Sequence, residues 1–181
     1  MGAIWILGLA ATSALPVAAA TLSPAPQAVV YVLDASGSMQ VGGSYIPPRM
    51  IVFDDGKLPG AGAPVDPSDL IGGHTGSRFD RAKADLSAKV LEVRPPGTLY
   101  GLVSFGHRGP GCGVETLVSP AADAVALIQT QLAGISFPQG DTPLAASLKQ
   151  AGEALRSVDA RQKHIIVFSD GVDTCGGHPV D

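Results

Sequence analysis

The chain has 181 residues, of which 45% are hydrophobic and only 15% are charged. This composition predicts one globular domain with a real core and argues against intrinsic disorder. The formal net charge is −4 and the sequence contains no basic run, so nucleic acid and anionic membranes are unsuitable as main partners, whereas a metal cation or a basic protein surface suits the charge.

The N-terminal segment differs from the rest of the chain. Residues 4–15 are apolar, and the alanines at 18–20 match the small-x-small pattern of a signal-peptidase site. The apolar stretch is too short to span a membrane, but no Lys or Arg precedes it, so a buried helix is the alternative. We predict a signal peptide over 1–20 and a linker over 21–27. Export to the periplasm or the cell exterior would follow, with no stable membrane anchor after cleavage.

Buried strands and amphipathic helices alternate along the mature chain. Short apolar runs rich in β-branched residues predict the strands, and apolar residues at helical spacing predict the helices. The expected strands are 28–33, 98–105, 114–118 and 163–169, and the expected helices are about 79–93, 125–135 and 144–158. Pro120 is expected to open the second helix, and Thr142 to cap the third with Pro143 as its first residue. The alternation predicts an α/β, Rossmann-like fold with a mainly parallel central sheet and helices on both faces.

The segment 41–77, between the first strand and the first helix, is rich in Gly and Pro and has little periodicity. Within it, Met50 to Phe53 followed by Asp54-Asp55-Gly56 predicts a small hairpin. Connections of this length are usually functional or disordered. We interpret 41–77 as an insertion that determines partner specificity, with simple disorder as the alternative.

Three polar motifs are expected at the carboxyl edge of the sheet, where α/β folds bind their ligands. They are Asp34-Ala35-Ser36-Gly37-Ser38, Gly140-Asp141-Thr142-Pro143 and Ser169-Asp170-Gly171. Together they resemble the metal-ion-dependent adhesion site of the von Willebrand factor A family, D-x-S-x-S … T … D. The stretches 105–108 and 174–177 resemble a bacterial branch of that family.

The resemblance implies that Ser36, Ser38 and Thr142 are hydroxyl ligands of one divalent metal, and that Asp34 and Asp170 bind it directly or through water. Hydroxyl and carboxylate oxygens suit a hard cation, which would be Mg²⁺ or else Ca²⁺ or Mn²⁺. Three hydroxyls and two carboxylates that bind directly or through water would leave the ion an exchangeable position. An Asp or Glu carboxylate of a protein partner can take that position, which makes the domain a binding module and not an enzyme.

Other interpretations of the same residues exist. Taken singly, the hydroxyls could satisfy turn or helix-cap backbone groups. The enzymatic alternative is a Mg²⁺-dependent, phosphatase-like hydrolase with Asp34 as nucleophile and Asp170 with Asp173 as metal ligands. That chemistry normally requires a second carboxylate two residues after the nucleophile, where this chain has Ser36. The four histidines lack the spacing of a zinc site.

The family's sheet usually continues with two more strands, whereas this sequence ends at Asp181. We therefore expect a domain over 28–181 that is incomplete at its C-terminus and truncated after the fourth strand. The strand leading to Asp170 would then be an exposed edge, and exposed edges invite pairing or aggregation.

The two cysteines, Cys112 and Cys175, lie in Gly-rich loops. An even count in an exported protein fits one disulfide, and two free thiols are the alternative. Their loops leave the sheet on either side of the first strand, so the flanking strands lie about 10 Å apart, beyond the Cα limit of about 7 Å for a bridge. We predict that flexible glycines close the difference and that the two cysteines form a disulfide across the metal face.

Overall fold

The fold is known from a computed structural model. Three predicted regions, the signal peptide 1–20, most of the linker 21–27 and most of the insertion 41–77, lie outside the residues that the structure describes. The described residues are 26–40, 49–53, 76–91, 96–136 and 138–178.

Within these described ranges, five strands form a single sheet in the order β2-β5-β1-β3-β4. The three central strands run parallel, and each edge strand is antiparallel to its neighbour. The predicted α/β fold is therefore confirmed, with a mixed sheet whose parallel part is central. The strands are β1 (Gln27–Asp34), β2 (Arg49–Phe53), β3 (Leu99–Phe105), β4 (Val114–Ala121) and β5 (Gln162–Phe168).

The strand that leads to Asp170 is not an edge strand, contrary to the sequence-based expectation. β5 lies between β1 and β2, and Ile51 of β2 is registered opposite Ile165 of β5. Met50 to Phe53 does form a strand as predicted, but its sheet partner is β5. The residues 54–56, predicted as the hairpin turn, lie outside the described part. The expected edge is therefore covered from within the segment interpreted as an insertion.

Helices cover both faces of the sheet, as predicted. α1 and α2 pack with Val29, Tyr31 and Leu33 of β1 on one face, and α3 packs with the alternate residues of β1 on the other. All three named side chains are fully buried, and burial of such an apolar side chain stabilises by about 1.5–3 kcal/mol. The helices are α1 (Arg78–Leu91), α2 (Val125–Gly134) and α3 (Leu144–Arg156), with a short 3-10 helix at Gly37–Gln40. No helix in the described ranges is long and apolar enough to cross a membrane.

Two expectations about helix starts were wrong. Pro120 belongs to β4, and α2 begins only at Val125. Edge strands tolerate proline because they need not donate every backbone N–H, and Pro120 falls where the β3–β4 register shifts. The N-cap of α3 is Pro143 and makes no side-chain cap bond. The Thr142 hydroxyl is therefore not the cap of α3.

Cys112 and Cys175 form a disulfide, which confirms the predicted pairing. β3 and β5 flank β1, yet the two Cα atoms lie only 6.0 Å apart. The loop after β3 leans over β1, and Asp141 N donates to Gly111 O at 3.3 Å. The conformation of the two loops, and not the spacing of the strands before them, therefore determines whether the cysteines can form a disulfide.

Removal of this disulfide should lower the free energy of unfolding by about 4 kcal/mol in the chain-entropy model, because the crosslink spans 63 residues. Urea denaturation of the oxidised protein and of a Cys112→Ala/Cys175→Ala variant measures the difference. The matched control is reductant, which should destabilise the native sequence but leave the double variant unchanged. Equal stabilities of oxidised protein and double variant would contradict the expectation.

Candidate functional site

The candidate site begins where β1 ends. Asp34 is the last residue of β1, and Ser36 then forms an isolated parallel bridge with Gly140. Gly37 N donates to Gly140 O at 2.9 Å, and the chain turns into the 3-10 helix Gly37–Gln40. The loop that carries the two serines is thus fixed to the loop that leads to Thr142.

A close backbone contact holds these loops together. A Cβ built on Gly106 would lie 2.5 Å from Ala35 O, and one built on Gly140 would lie 2.5 Å from Gly106 Cα. Gly140 N donates to Gly106 O at 3.0 Å, and Ala35 N donates to Phe105 O at 2.9 Å. Gly106 also has a φ of +75°, which L side chains rarely adopt. Only glycine fits both positions without displacement of the backbone.

Asp34, the residue before Ala35, is fully buried. Its Oδ1 accepts from Ser36 N at 2.8 Å and its Oδ2 from Ser169 Oγ at 2.5 Å. Burial raises the pKa of the Asp34 carboxyl above its ordinary value, the bonds from Ser169 and Ser36 lower it in part, and the charge of Asp170 raises it again. A positive charge nearby would stabilise the ionised form of Asp34.

A chain of hydrogen bonds joins the two serine hydroxyls to the second carboxylate. Ser36 Oγ lies 3.0 Å from Ser38 Oγ, and Ser38 Oγ donates to Asp170 Oδ1 at 3.0 Å. Asp170 Oδ2 accepts from Arg78 Nη1, in a pair whose carboxylate side chain is 3% exposed. Four of the five predicted site residues, Asp34 included, therefore lie together at one edge of the sheet.

Thr142, the fifth predicted site residue, faces the same region. A Cβ built on Gly171 would lie 3.6 Å from Thr142 Oγ1 and 4.0 Å from Ser38 Oγ. Thr142 is 4% exposed, and a reciprocal pair fixes its backbone: Thr142 N donates to Thr174 Oγ1 at 2.9 Å, and Thr174 N donates to Thr142 O at 3.0 Å.

The Asp173 side chain, in the loop after β5, is held by hydrogen bonds from backbone N–H groups. Its Oδ1 accepts from Cys175 N and Gly177 N, both at 2.9 Å, and its Oδ2 accepts from Ala145 N at 2.8 Å. Desolvation raises the pKa of Asp173, but the three backbone bonds outweigh it, and the pKa lies below its ordinary value. The stabilisation is therefore present above the ordinary pKa of Asp and is lost as the pH falls through the lowered value. Asp173 supports the start of α3 and is not available as the free metal ligand of the phosphatase alternative.

The sequence analysis assigned no site role to three contributors: Ser169 and Thr174, which lie within the quoted stretches, and Arg78, which lies outside them. Ser169 and Thr174 act through bonds to Asp34 and Thr142 that span many residues, and no local pattern signals such bonds. Arg78 did carry a signal. It is the first residue of α1, where the helix dipole disfavours a cation, and such a local conflict often marks a functional residue.

The oxygen atoms assembled here fit a hard divalent cation. Hydroxyls from two loops and carboxylates from two strand ends are the ligand class that Mg²⁺ prefers. Within the described ranges, no three His, Cys, Asp or Glu side chains cluster so as to hold a metal, so a site here would depend on hydroxyl oxygens. His107, in the loop after β3, has its Nε2 3.0 Å from Oε2 of Glu115 in β4.

A family model for the von Willebrand factor type A domain matches residues 64–172, more than half of the chain. The chain belongs to this family. Domains of the von Willebrand factor type A family are generally interaction and adhesion modules. The match includes Thr142 and Asp170 but begins after Asp34 to Ser38, so that first motif is supported by its own residues and geometry.

This von Willebrand factor type A domain is similar to two proteins, one of them represented by two solved structures. It is 29% identical over 115 residues to the uncharacterised protein YwmC of Bacillus subtilis (strain 168), a match over 58% of this chain and 49% of that protein. It is also similar to two structures of the type V pili tip protein Mfa5 of Porphyromonas gingivalis. The three-domain structure is 22% identical, with a TM-score of 0.46, over 82% of this chain and 20% of that one. The vWF domain alone is 21% identical, with a TM-score of 0.46, over 82% and 39%. The chain thus spans about half the length of the Bacillus protein, and less of the pilus proteins.

Gly106→Ala should destabilise the domain by about 2 kcal/mol or more, because a residue held at positive φ costs about 1–3 kcal/mol and the new Cβ would also overlap Ala35 O. Gly152→Ala is the matched control, since its Cβ would meet no heavy atom of the described residues within 4 Å inside α3. That control should gain about 0.5–1 kcal/mol from helix propensity. Urea denaturation of both variants tests the contact, and a Gly106→Ala domain as stable as the parent would rule it out.

Proposed function

We propose that this chain is a metal-dependent protein-binding module, in which a divalent cation at the edge of the sheet bridges to a carboxylate of a protein partner. The observation that carries the proposal is the hydrogen-bonded chain from Ser36 through Ser38 to Asp170, with the Thr142 hydroxyl beside it. Two of these hydroxyls follow β1 and the third precedes α3, yet all three lie at the same edge of the sheet. The cation would be Mg²⁺, or else Ca²⁺ or Mn²⁺.

The way the carboxylates are bonded supports a role in orientation. Each oxygen of Asp34 accepts one hydrogen bond, Oδ1 from Ser36 N and Oδ2 from Ser169 Oγ. Each oxygen of Asp170 also accepts one, Oδ1 from Ser38 and Oδ2 from Arg78. Carboxylates held in this way suit water-mediated contact with a cation, and Mg²⁺ usually keeps several of its waters. The hydroxyls of Ser36, Ser38 and Thr142 would then be its direct ligands.

The local charge supports a cation that in turn attracts an anion. Asp34 and Asp170 bring two buried or nearly buried carboxylates to one edge, and Arg78 brings one positive charge. With a divalent ion added, the formal charge of these groups becomes +1. A carboxylate of a partner, from Asp or Glu, is the natural ligand for an exchangeable position on such an ion.

Binding is favoured over catalysis by the environment of Asp34. A phosphatase nucleophile must reach its substrate, whereas Asp34 is fully buried and both of its oxygens accept hydrogen bonds. Ser36 occupies the position where a second catalytic carboxylate would be expected. The Asp173 carboxylate accepts hydrogen bonds from three backbone N–H groups. These contacts support a module without hydrolytic activity.

The disulfide supports a location outside the cytoplasm. Disulfides such as Cys112–Cys175 persist in oxidising compartments and are rare in reducing ones. We propose export to the periplasm or the cell exterior, guided by the predicted signal peptide. The partner would be a protein that presents an acidic side chain.

A calorimetric titration with Mn²⁺ at pH 7.5 should show one binding site per chain. Ser38→Ala removes a direct ligand and should abolish measurable binding. Asp34→Asn and Asp170→Asn should weaken affinity by about 10–100-fold, as is typical when groups that orient metal ligands are changed.

The matched control is Ser157→Ala, which removes a hydroxyl that donates to Ala154 O at the far end of α3 and should leave affinity unchanged. Acetate added to the Mn²⁺ complex should lower the relaxation rate of water protons, because a carboxylate replaces a bound water. Parental Mn²⁺ affinity in Ser38→Ala would refute the metal assignment. An unchanged relaxation rate with acetate would refute the bridging role alone.

No metal-dependent hydrolysis of p-nitrophenyl phosphate is expected, because Asp34 is buried and lacks a paired carboxylate. The assay is run with Mg²⁺ and with Mn²⁺, on the parent and on Asp34→Asn, at matched protein concentration. Turnover in the parent that disappears in Asp34→Asn would replace the binding-module proposal with the hydrolase alternative.

A further inference from the structure

Arg78 occupies an unusual place beside the candidate metal site. It is the first residue of α1, and its Nη1 donates to Oδ2 of Asp170, the carboxylate that also accepts from Ser38. The Arg78 side chain is 28% exposed, whereas that of Asp170 is 3% exposed. The Arg78 guanidinium is therefore bound to one oxygen of a nearly buried carboxylate whose other oxygen accepts from the Ser38 hydroxyl.

Local forces do not favour a cation at this place. The start of a helix carries positive partial charge and disfavours Lys and Arg. The capping of α1 is already provided without Arg78, because Ser77 Oγ accepts from Asp80 N at 3.1 Å and Ser77 N donates to Asp80 Oδ2 at 3.0 Å. Arg78 Nε is buried and has no hydrogen-bond partner among the described residues. Its pairing with Asp170 offsets these costs.

Asp170 in turn needs a positive partner when no metal is bound. Two acidic side chains, Asp34 and Asp170, follow the adjacent parallel strands β1 and β5 at the same edge, one buried and the other 3% exposed. A buried carboxylate without a counter-charge is strongly destabilising. Arg78 supplies that charge from within the chain.

We propose that Arg78 is a built-in counter-cation of the metal site: it keeps the acidic edge folded without metal and, by its charge, lowers the affinity of the site for divalent ions. This inference rests on the proposed metal-binding function and adds the residue that sets its affinity. Arg78 acts through Asp170, so it is a positioning residue and not a ligand. A site weakened in this way responds to changes in metal concentration and does not stay saturated.

The sign of the effect separates this role from a purely structural one. Loss of a structural residue loosens the site and weakens metal binding. Loss of a competing charge strengthens it: a unit charge this close to a divalent ion in a partly exposed site is worth about tenfold or more in affinity. Arg78→Gln should therefore bind Mn²⁺ about tenfold more tightly than the parent and should be less stable than the parent without metal.

The experiment measures Mn²⁺ affinity by calorimetry at pH 7.5, and urea midpoints with and without Mn²⁺. Arg78→Lys keeps the charge and should retain the parental affinity. Arg108→Gln is the matched control, because it removes the same charge from an exposed pair with Glu115 and should change neither quantity. Saturating Mn²⁺ should raise the urea midpoint of Arg78→Gln more than that of the parent. In NMR spectra of the unmodified protein, Mg²⁺ should shift the Arg78 Nε–H resonance, which is assigned by its loss in Arg78→Lys. This measurement does not require Arg78→Gln to fold.

If Arg78→Gln binds Mn²⁺ more tightly than the parent, and Arg78→Lys and Arg108→Gln do not, the inference is supported. If Arg78→Gln binds Mn²⁺ and the parent does not, the inference is also supported, but the proposed function of the native chain is refuted. Unchanged or weaker binding by Arg78→Gln, beside a parent that binds, overturns the inference and leaves the proposed function standing. If neither protein binds Mn²⁺, both are overturned. If Arg78→Gln does not fold even with Mn²⁺, the Arg78 Nε–H resonance of the unmodified protein decides. No shift of this resonance at saturating Mg²⁺ overturns the inference, and a shift supports it.

Discussion

The contact on which the rest of the site depends is the packing of backbone against backbone at the carboxyl edge of the sheet. Gly106 lies against Ala35, and Gly140 lies against Gly106, at distances that leave no room for a Cβ. This contact brings the end of β1, the loop after β3 and the loop before α3 into one layer. Because glycines occupy the two contact positions, the loops approach closely, and the hydroxyls of Ser38 and Thr142 both lie near Gly171.

The electrostatics of the site follow from that packing. Close approach of the loops buries Asp34, and a buried carboxylate requires donors or positive charge. Ser169 and the backbone of Ser36 supply donors, and Arg78 supplies charge through Asp170. The carboxylates at this edge are thus satisfied by donors and charge from within the chain.

The loop after β5 is fixed from both sides. The Cys112–Cys175 bridge ties it to the loop after β3, and Asp173 ties it to the start of α3 through three backbone N–H groups. Asp170 lies in the short stretch between β5 and these two restraints. Such restraint leaves Asp170 with less conformational freedom than the same residue would have in an unrestrained loop.

The sequence by itself determined the α/β class, the central strands and the members of the predicted site, because burial on both faces, helical spacing and short polar motifs are local properties. Asp34, Ser36, Ser38 and Asp170 were predicted to lie together, and they do, since the carboxyl ends of adjacent parallel strands meet. Only the tertiary structure decided which strand covers β5, since Met50 to Phe53 could equally have paired with a neighbouring segment. It alone brought Arg78 to Asp170 and the two cysteines to bonding distance, across 92 and 63 residues of chain. Contacts of that separation depend on how loops cross the sheet, and no local pattern of residues specifies that crossing.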